Sequence, residues 1–285
     1  MKPGTSYESV LKTAIPATQM EITQNYLIKG CLMGPSGSGK TQSSITLPLS
    51  ADKPILLIDY DGRAETVAGE EHVEVIKLYD TDPDSPKAWD RGEDLRNELW
   101  VLARSGDFPY SGVIEDALTM MATVAMNSAL TLTGKDGTLK RGLGGAPAKQ
   151  HYMPQIQYIK KHINSMRNLP CHYVLNCHFD LLPMDEGNEL KIVPKITKSL
   201  RTEVPSWFNE VYFCYREEGQ PGKINYFWNT TGTGSHEYFK STLNNKQRFW
   251  EGDIQVDFDK TPVGFGKLLS LRFPEKGGKE KAKGD

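Results

Sequence analysis

Tyr26-Leu-Ile-Lys-Gly-Cys-Leu-Met33 runs directly into Gly34-Pro-Ser-Gly-Ser-Gly39-Lys40-Thr41, and this junction decides the fold. The first stretch is apolar and reads as a strand. The second meets the spacing G-x-x-x-x-G-K-[ST] of a phosphate-binding loop, placed between a strand and a helix start. Glycine permits backbone angles that other residues resist, so the loop can turn its N–H groups inward as an anion nest at a helix N-terminus. Gly34, Pro35, Ser36, Gly37, Ser38, Gly39, Lys40, Thr41 and Gln42 are therefore the expected nucleotide-binding residues. Lys40 would reach the β- and γ-phosphates, and Thr41 would ligate Mg²⁺. No Asn-Lys-x-Asp guanine-reading motif occurs, which favours ATP. The helix that starts at Thr41 is cut short by Pro48.

Such a loop needs acidic partners at neighbouring strand ends. Ile55-Leu-Leu-Ile58 is a short apolar run suited to a parallel strand buried on both faces, and Asp59-Tyr-Asp61-Gly62 follows it. Asp61 is the candidate general base, two residues into the crevice where ligands bind open α/β sheets. Asp59 could bond the phosphate loop or simply end the strand. After Val113-Ile114, two acids could hold Mg²⁺ through water: Asp116 is preferred and Glu115 is the alternative. His178 closes the strand Cys171–Cys177, where it either senses the γ-phosphate or serves the fold.

Further strand candidates fall at 72–78, 110–114, 211–215 and 223–228, and helical spacing at 89–103, 117–132 and 152–168. Residues 183–192 read as a hairpin or loop. Strands alternating with helices predict an α/β fold with a doubly wound, mainly parallel sheet flanked by helices. The expected organisation is a lead-in over 1–25, an ATPase core over 26–250, an extension over 251–273 and a disordered tail over 274–285.

The chain has 285 residues, 38% hydrophobic and 25% charged, with a formal net charge of −2. A global basic field is excluded, so any nucleic-acid contact must be local. Four cysteines without CxxC or Cys/His spacing predict buried free thiols in a reducing cytoplasm and no structural metal. No leader is read at the N-terminus, and no apolar run is long enough to span a membrane.

Together the phosphate loop, Ile58-Asp-Tyr-Asp-Gly62, Val113-Ile-Glu-Asp-Ala-Leu-Thr119 and Leu175-Asn-Cys-His178 resemble the RecA-like P-loop ATPases. Within them the chain looks most like the phage-type nucleotide-binding AAA-domain proteins, which include RecA-like single-strand annealing proteins of bacteriophages. Pro194-Lys-Ile-Thr-Lys-Ser-Leu-Arg201 leads into Val204-Pro-Ser-Trp-Phe-Asn-Glu-Val-Tyr-Phe213, similar to that family's basic linker before "pro-x-x-phe-asp-glu-val". Lys246-Gln-Arg248-Phe249 resembles the Lys-Asn-Arg-Phe motif of RadA-like recombinases, whose basic residues reach the neighbouring subunit's nucleotide.

The resemblance implies ATP and Mg²⁺, a homo-oligomer in ring or filament form, and single-stranded DNA as partner, with a single-strand-binding protein as a further one. For a phage-encoded chain it implies the bacterial host cytoplasm. It makes Lys246 and Arg248, with Lys198 and Arg201, candidates for acting on a neighbour's phosphates. It makes the glycine-rich loop carrying Lys135, Lys140, Arg141 and Lys149 the candidate DNA contact, a loop that could equally be solvated and without ligand. RecA-like proteins usually carry Glu where this chain has Asp61, and an apolar residue is more usual at the position of Glu115. Two other readings stay open. One is a nucleotide-dependent switch or assembly module with weak hydrolysis and a protein partner. The other is a small-molecule kinase, for which the arginine-bearing lid is lacking.

Overall fold

An apolar strand such as Ile55-Leu-Leu-Ile58 is stable only when both of its faces are covered, and here both are. The protein, seen in a computed structural model, is described over residues 12, 14–17, 22–51, 53–82, 84–132, 147–183, 190–244 and 248–274. In chain order its elements are β1 (Lys29–Met33), α1 (Lys40–Ser44), β2 (Ile55–Asp59), β3 (Val73–Lys77), α2 (Ala88–Ser105), β4 (Gly112–Asp116), α3 (Leu118–Thr131), α4 (Lys149–Met166) and β5 (His172–Cys177). There follow β6 (Phe179–Pro183), β7 (Leu190–Pro194), β8 (Glu210–Glu218), β9 (Ile224–Asn229), β10 (Lys240–Ser241), β11 (Ile254–Val256) and α5 (Gly264–Arg272). The main sheet has nine strands in the order β11-β9-β8-β1-β5-β4-β2-β3, with β10 on β8, and β6 and β7 form a separate antiparallel pair. All pairings from β8 through β1, β5, β4 and β2 to β3 are parallel. The expected α/β sheet flanked by helices is what the chain forms.

Side chains on a strand alternate between faces, and the core divides accordingly. Leu56, Ile58, Val113, Tyr173 and Leu175 pack on one face with Trp89, Met121, Ile159 and Ile163 from α2, α3 and α4. Ile55, Leu57, Ile114 and Val174 pack on the other with Ile45, Trp228, Phe265 and Leu268. Fully burying one such aliphatic side chain stabilises by about 1.5–3 kcal/mol.

The same alternation separates Glu115 from Asp116. Glu115 is completely buried on the face covered by the three long helices. It accepts hydrogen bonds from Tyr60 Oη (3.0 Å), His162 Nε2 (2.5 Å) and Tyr173 Oη. A second buried acid, Glu210 of the Phe-Asn-Glu-Val stretch, accepts from Tyr26 Oη (3.1 Å), Tyr212 Oη (2.6 Å) and Ser241 Oγ (2.6 Å). The backbone N–H groups of Thr242 and Leu243 complete its set. That carboxylate ties Tyr26, just before β1, to β8 and β10. Burial pushes its pKa up, against these donors.

Two sequence expectations change. The segment after residue 250 is built into the sheet, because β11 pairs antiparallel with β9. The α5 helix, which periodicity missed, docks on α1: Thr46 Oγ1 accepts the Phe265 N–H at 3.1 Å, and a Cβ on Gly264 would lie 2.1 Å from that same oxygen. Its glycines conceal the helix in the sequence and permit this approach. All four cysteines are free and buried, as expected.

Burial alone would raise the Glu115 pKa, but the bond and charge of His162 outweigh it and hold the carboxyl below its ordinary 4.5. A group whose folded-state pKa is depressed stabilises fully above its unfolded value, and that stabilisation is lost as pH falls through the folded value. Glu115→Gln should therefore unfold about 3 kcal/mol more easily at neutral pH, in the range for breaking one partner of a buried pair. It should also lose part of the wild type's acid sensitivity below pH 4.5. Urea denaturation across pH reads both; equal stability of the two proteins at pH 7 would refute the role.

Candidate active site

The phosphate loop turns so tightly that glycine is required at two of its corners. Gly34 carries no side chain because a Cβ there would sit 2.2 Å from the Cys214 carbonyl oxygen of β8. Gly39 has φ 80°, and a Cβ would meet the Tyr226 ring at 3.0 Å. Lys40 is buried and donates to its own loop, to the carbonyls of Gly34 (2.9 Å) and Pro35 (2.8 Å). Thr41 Oγ1 donates to Asp116 Oδ2 at 2.5 Å.

Strand order explains what gathers around this loop. The β5 strand lies between β1, which feeds the loop, and β4, which ends in Asp116. The C-terminal end of β5 is therefore held between Lys40 and Asp116. Asn176 projects there, donating to Ser44 Oγ (3.2 Å) and bonding Asp116. His178 follows one step beyond. A cavity of about 310 Å³ results, lined by Ser36, Gly37, Gly39, Lys40, Thr41 and Gln42 of the loop and by Asp59, Asp61, Arg63, Asp116 and His178 around it. Tyr226 and Phe258 close its other side.

Asp59 shapes the loop that carries Asp61. Its Oδ1 accepts the N–H groups of Asp61 (2.9 Å), Gly62 (2.8 Å) and Arg63 (3.3 Å), and its Oδ2 accepts that of Ala64 (3.2 Å). This is an acid closing the turn after its own strand, so of the two readings of Asp59 the strand-end one holds. Asp61 is half-buried with Oδ1 lacking any partner. Burial and the nearby Asp116 raise its pKa. Burial likewise raises Asp116, opposed by Thr41, Asn176 and the charge of Lys40. His178 is shifted down by burial and by Lys40. The same cavity thus shifts an acid and an imidazole in opposite directions, Asp61 up and His178 down.

Lys40, Thr41, Gln42, Asp61, Asp116 and His178 all line the one cavity. Glu115 does not: it points to the opposite face of β4, which removes it as the alternative magnesium residue. Arg201 is engaged within its own chain, paired with Asp180 at 2.9 Å and donating to the Ile196 carbonyl. Lys149, Lys198 and Arg248 are exposed and away from the cavity. Lys135, Lys140, Arg141 and Lys246 lie outside the described residues.

Sequence reading missed Arg63, Thr66, Tyr226 and Phe258 in the cavity wall. Arg63 and Thr66 sit on the turn that Asp59 closes, and Thr66 gives its carbonyl to Gln42 Nε2. The Asp-x-x-Gly pattern signals that turn; nothing local signals the two aromatic rings. Among the described residues, no helix is long and apolar enough to cross a membrane.

No curated protein matches this sequence. A family model described as an AAA domain matches residues 27–247, from the strand before the phosphate loop to the threshold of β11. With that match across most of its length, and a phosphate loop facing a strand-end aspartate, the chain belongs to the AAA-domain family of P-loop ATPases.

Proposed function

We propose that this chain is a RecA-like, ATP-hydrolysing protein that assembles with copies of itself and acts on single-stranded DNA, in recombination or annealing of the phage type. The observation that carries the hydrolytic part is the convergence of Lys40, Thr41, Asp61, Asp116 and His178 on one cavity. The DNA part rests on the sequence resemblance and on exposed cations.

Thr41 and Asp116 present two oxygens side by side, the donor chemistry Mg²⁺ prefers. The lining acids Asp59, Asp61 and Asp116 outnumber the lining cations Lys40 and Arg63. A bare triphosphate would meet no net positive charge, so the residues fit a metal–nucleotide chelate. When bound, Mg²⁺ would neutralise phosphate charge. Lys40 would exchange the carbonyls of Gly34 and Pro35 for phosphate oxygens. The Asp61 carboxylate would orient the attacking water and take its proton, and His178 would meet the γ-phosphate as a hydrogen-bonding group.

Lys40→Ala should abolish hydrolysis. Wild-type turnover should rise with single-stranded DNA and fall with salt as phosphate contacts weaken. Turnover indifferent to DNA would leave the ATPase and remove the DNA partner. That result would favour the second reading, a switch with weak hydrolysis. One observation favours it: Asp61 is a short acid already held by the Ala117 N–H.

Asp61→Asn should bind ATP normally while kcat falls roughly 10²–10⁴-fold, the usual contribution of a positioned base. Because the Asp61 carboxyl must be ionised to act and its pKa is raised, wild-type activity should fail at a pH above its ordinary 3.8. The variant should lack that acid limb. An unchanged kcat would move the base elsewhere.

A further inference from the structure

The cavity is lined by acids and cations and, against Gly39, by two aromatic rings, those of Tyr226 and Phe258. Tyr226 comes from β9, and its ring lies 3.0 Å from where a Gly39 Cβ would be; the Phe258 ring lies 3.5 Å from the same point. The two rings meet edge to face, with centroids 5.3 Å apart and planes at 64°. Both are only half-buried.

The β8–β9 register explains their placement. Arg216 and Tyr226 are direct cross-strand partners, and such partners project on the same face. Both point at the phosphate loop: the Arg216 Nη1 lies 3.5 Å from the Gly37 carbonyl oxygen, and Tyr226 abuts Gly39. Phe258 follows β11, the strand bound to β9. It lies beyond the 27–247 span of the family match, so this wall of the cavity includes a residue outside that match.

We propose that Tyr226 and Phe258 form the platform on which the nucleobase of the bound nucleoside triphosphate stacks. The inference rests on the nucleotide reading of the cavity. Lys40, Asp116 and His178 fix the end where the terminal phosphate goes, so the base must leave in another direction, past Gly39 and toward the rings. Base faces stack on aromatic side chains whatever their hydrogen-bonding edge, and a purine covers more ring surface than a pyrimidine. The platform therefore selects nucleotides over polyphosphate, and purine over pyrimidine, without reading adenine against guanine.

The test is calorimetric binding of ATP and of inorganic tripolyphosphate, each with Mg²⁺, to the full chain and to Tyr226→Ala, Tyr226→Phe, Tyr226→Leu and Phe258→Ala. Wild type should bind ATP more tightly than tripolyphosphate. Both alanine variants should lose roughly tenfold in ATP affinity, as expected for one lost stacking contact, with tripolyphosphate binding unchanged. Tyr226→Phe should bind ATP like wild type. Tyr226→Leu, which keeps apolar bulk against Gly39 but no ring, should behave like the alanine variant. If ATP and tripolyphosphate weaken together, or the leucine variant retains full ATP affinity, the rings merely pack the loop and the platform is refuted. If wild type prefers ATP and no variant alters that preference, the platform falls while the nucleotide site stands. If wild type binds neither ligand, the nucleotide reading itself falls and takes the platform with it.

Discussion

A sheet buried on both faces leaves its side chains no neutral direction, and this constraint orders the whole molecule. Each strand must send alternate residues into one of two apolar layers. At β4 this carries Val113 and Glu115 to the layer under the long helices, and Ile114 and Asp116 to the other. At β5 it sends Tyr173, Leu175 and Cys177 one way and leaves Asn176 to face the phosphate loop. Adjacent acids in the sequence thus acquire opposite fates. Glu115 is a fully engaged core carboxylate, and Asp116 meets Thr41. A one-residue slip of β4 would exchange them, so the register is tied to the chemistry as firmly as to the packing.

Electrostatics follow from that geometry. Lys40 is withdrawn from water and Asp116 half so, and each needs partners. Lys40 takes two loop carbonyls, and Asp116 takes Thr41 and Asn176. These contacts hold the functional groups at the positions where phosphate and metal ligands are required. Asp59 contributes a different kind of order. By collecting the N–H groups that follow β2 it fixes the path of the Asp61 turn, so a carboxylate oxygen without a partner is set by a carboxylate that accepts four N–H groups.

What was legible in the sequence was whatever is encoded locally. The phosphate loop is a contiguous backbone motif, and its glycines at 34 and 39 are explained by contacts that only glycine tolerates. The apolar runs of β1, β2 and β5 announce strands buried on both faces, and Asp61, Asp116 and His178 each follow such a run closely. The choice between Glu115 and Asp116 was also within reach: in Val113-Ile-Glu-Asp116, alternation puts the glutamate with Val113, and the departure from an apolar residue there is answered by His162 and two tyrosines supplied from distant elements. None of those partners is adjacent in sequence, so alternation could assign Glu115 its face but not name the groups that satisfy it there.

The aromatic wall was hidden for a related reason. Tyr226 belongs to a strand that also carries Phe227 and Trp228, and only the pairing with Arg216 decides which ring turns toward the loop. Phe258 reaches the cavity because β11 adds to β9 and α5 docks on α1 through Gly264 and Thr46. That docking depends on a glycine-rich segment with weak helical character, which read as an appendage. The phosphate end of the cavity is therefore a property of motifs, while the aromatic end is a property of sheet order. A sequence change in β11 or α5, far from every phosphate-loop residue along the chain, would act on the aromatic end first.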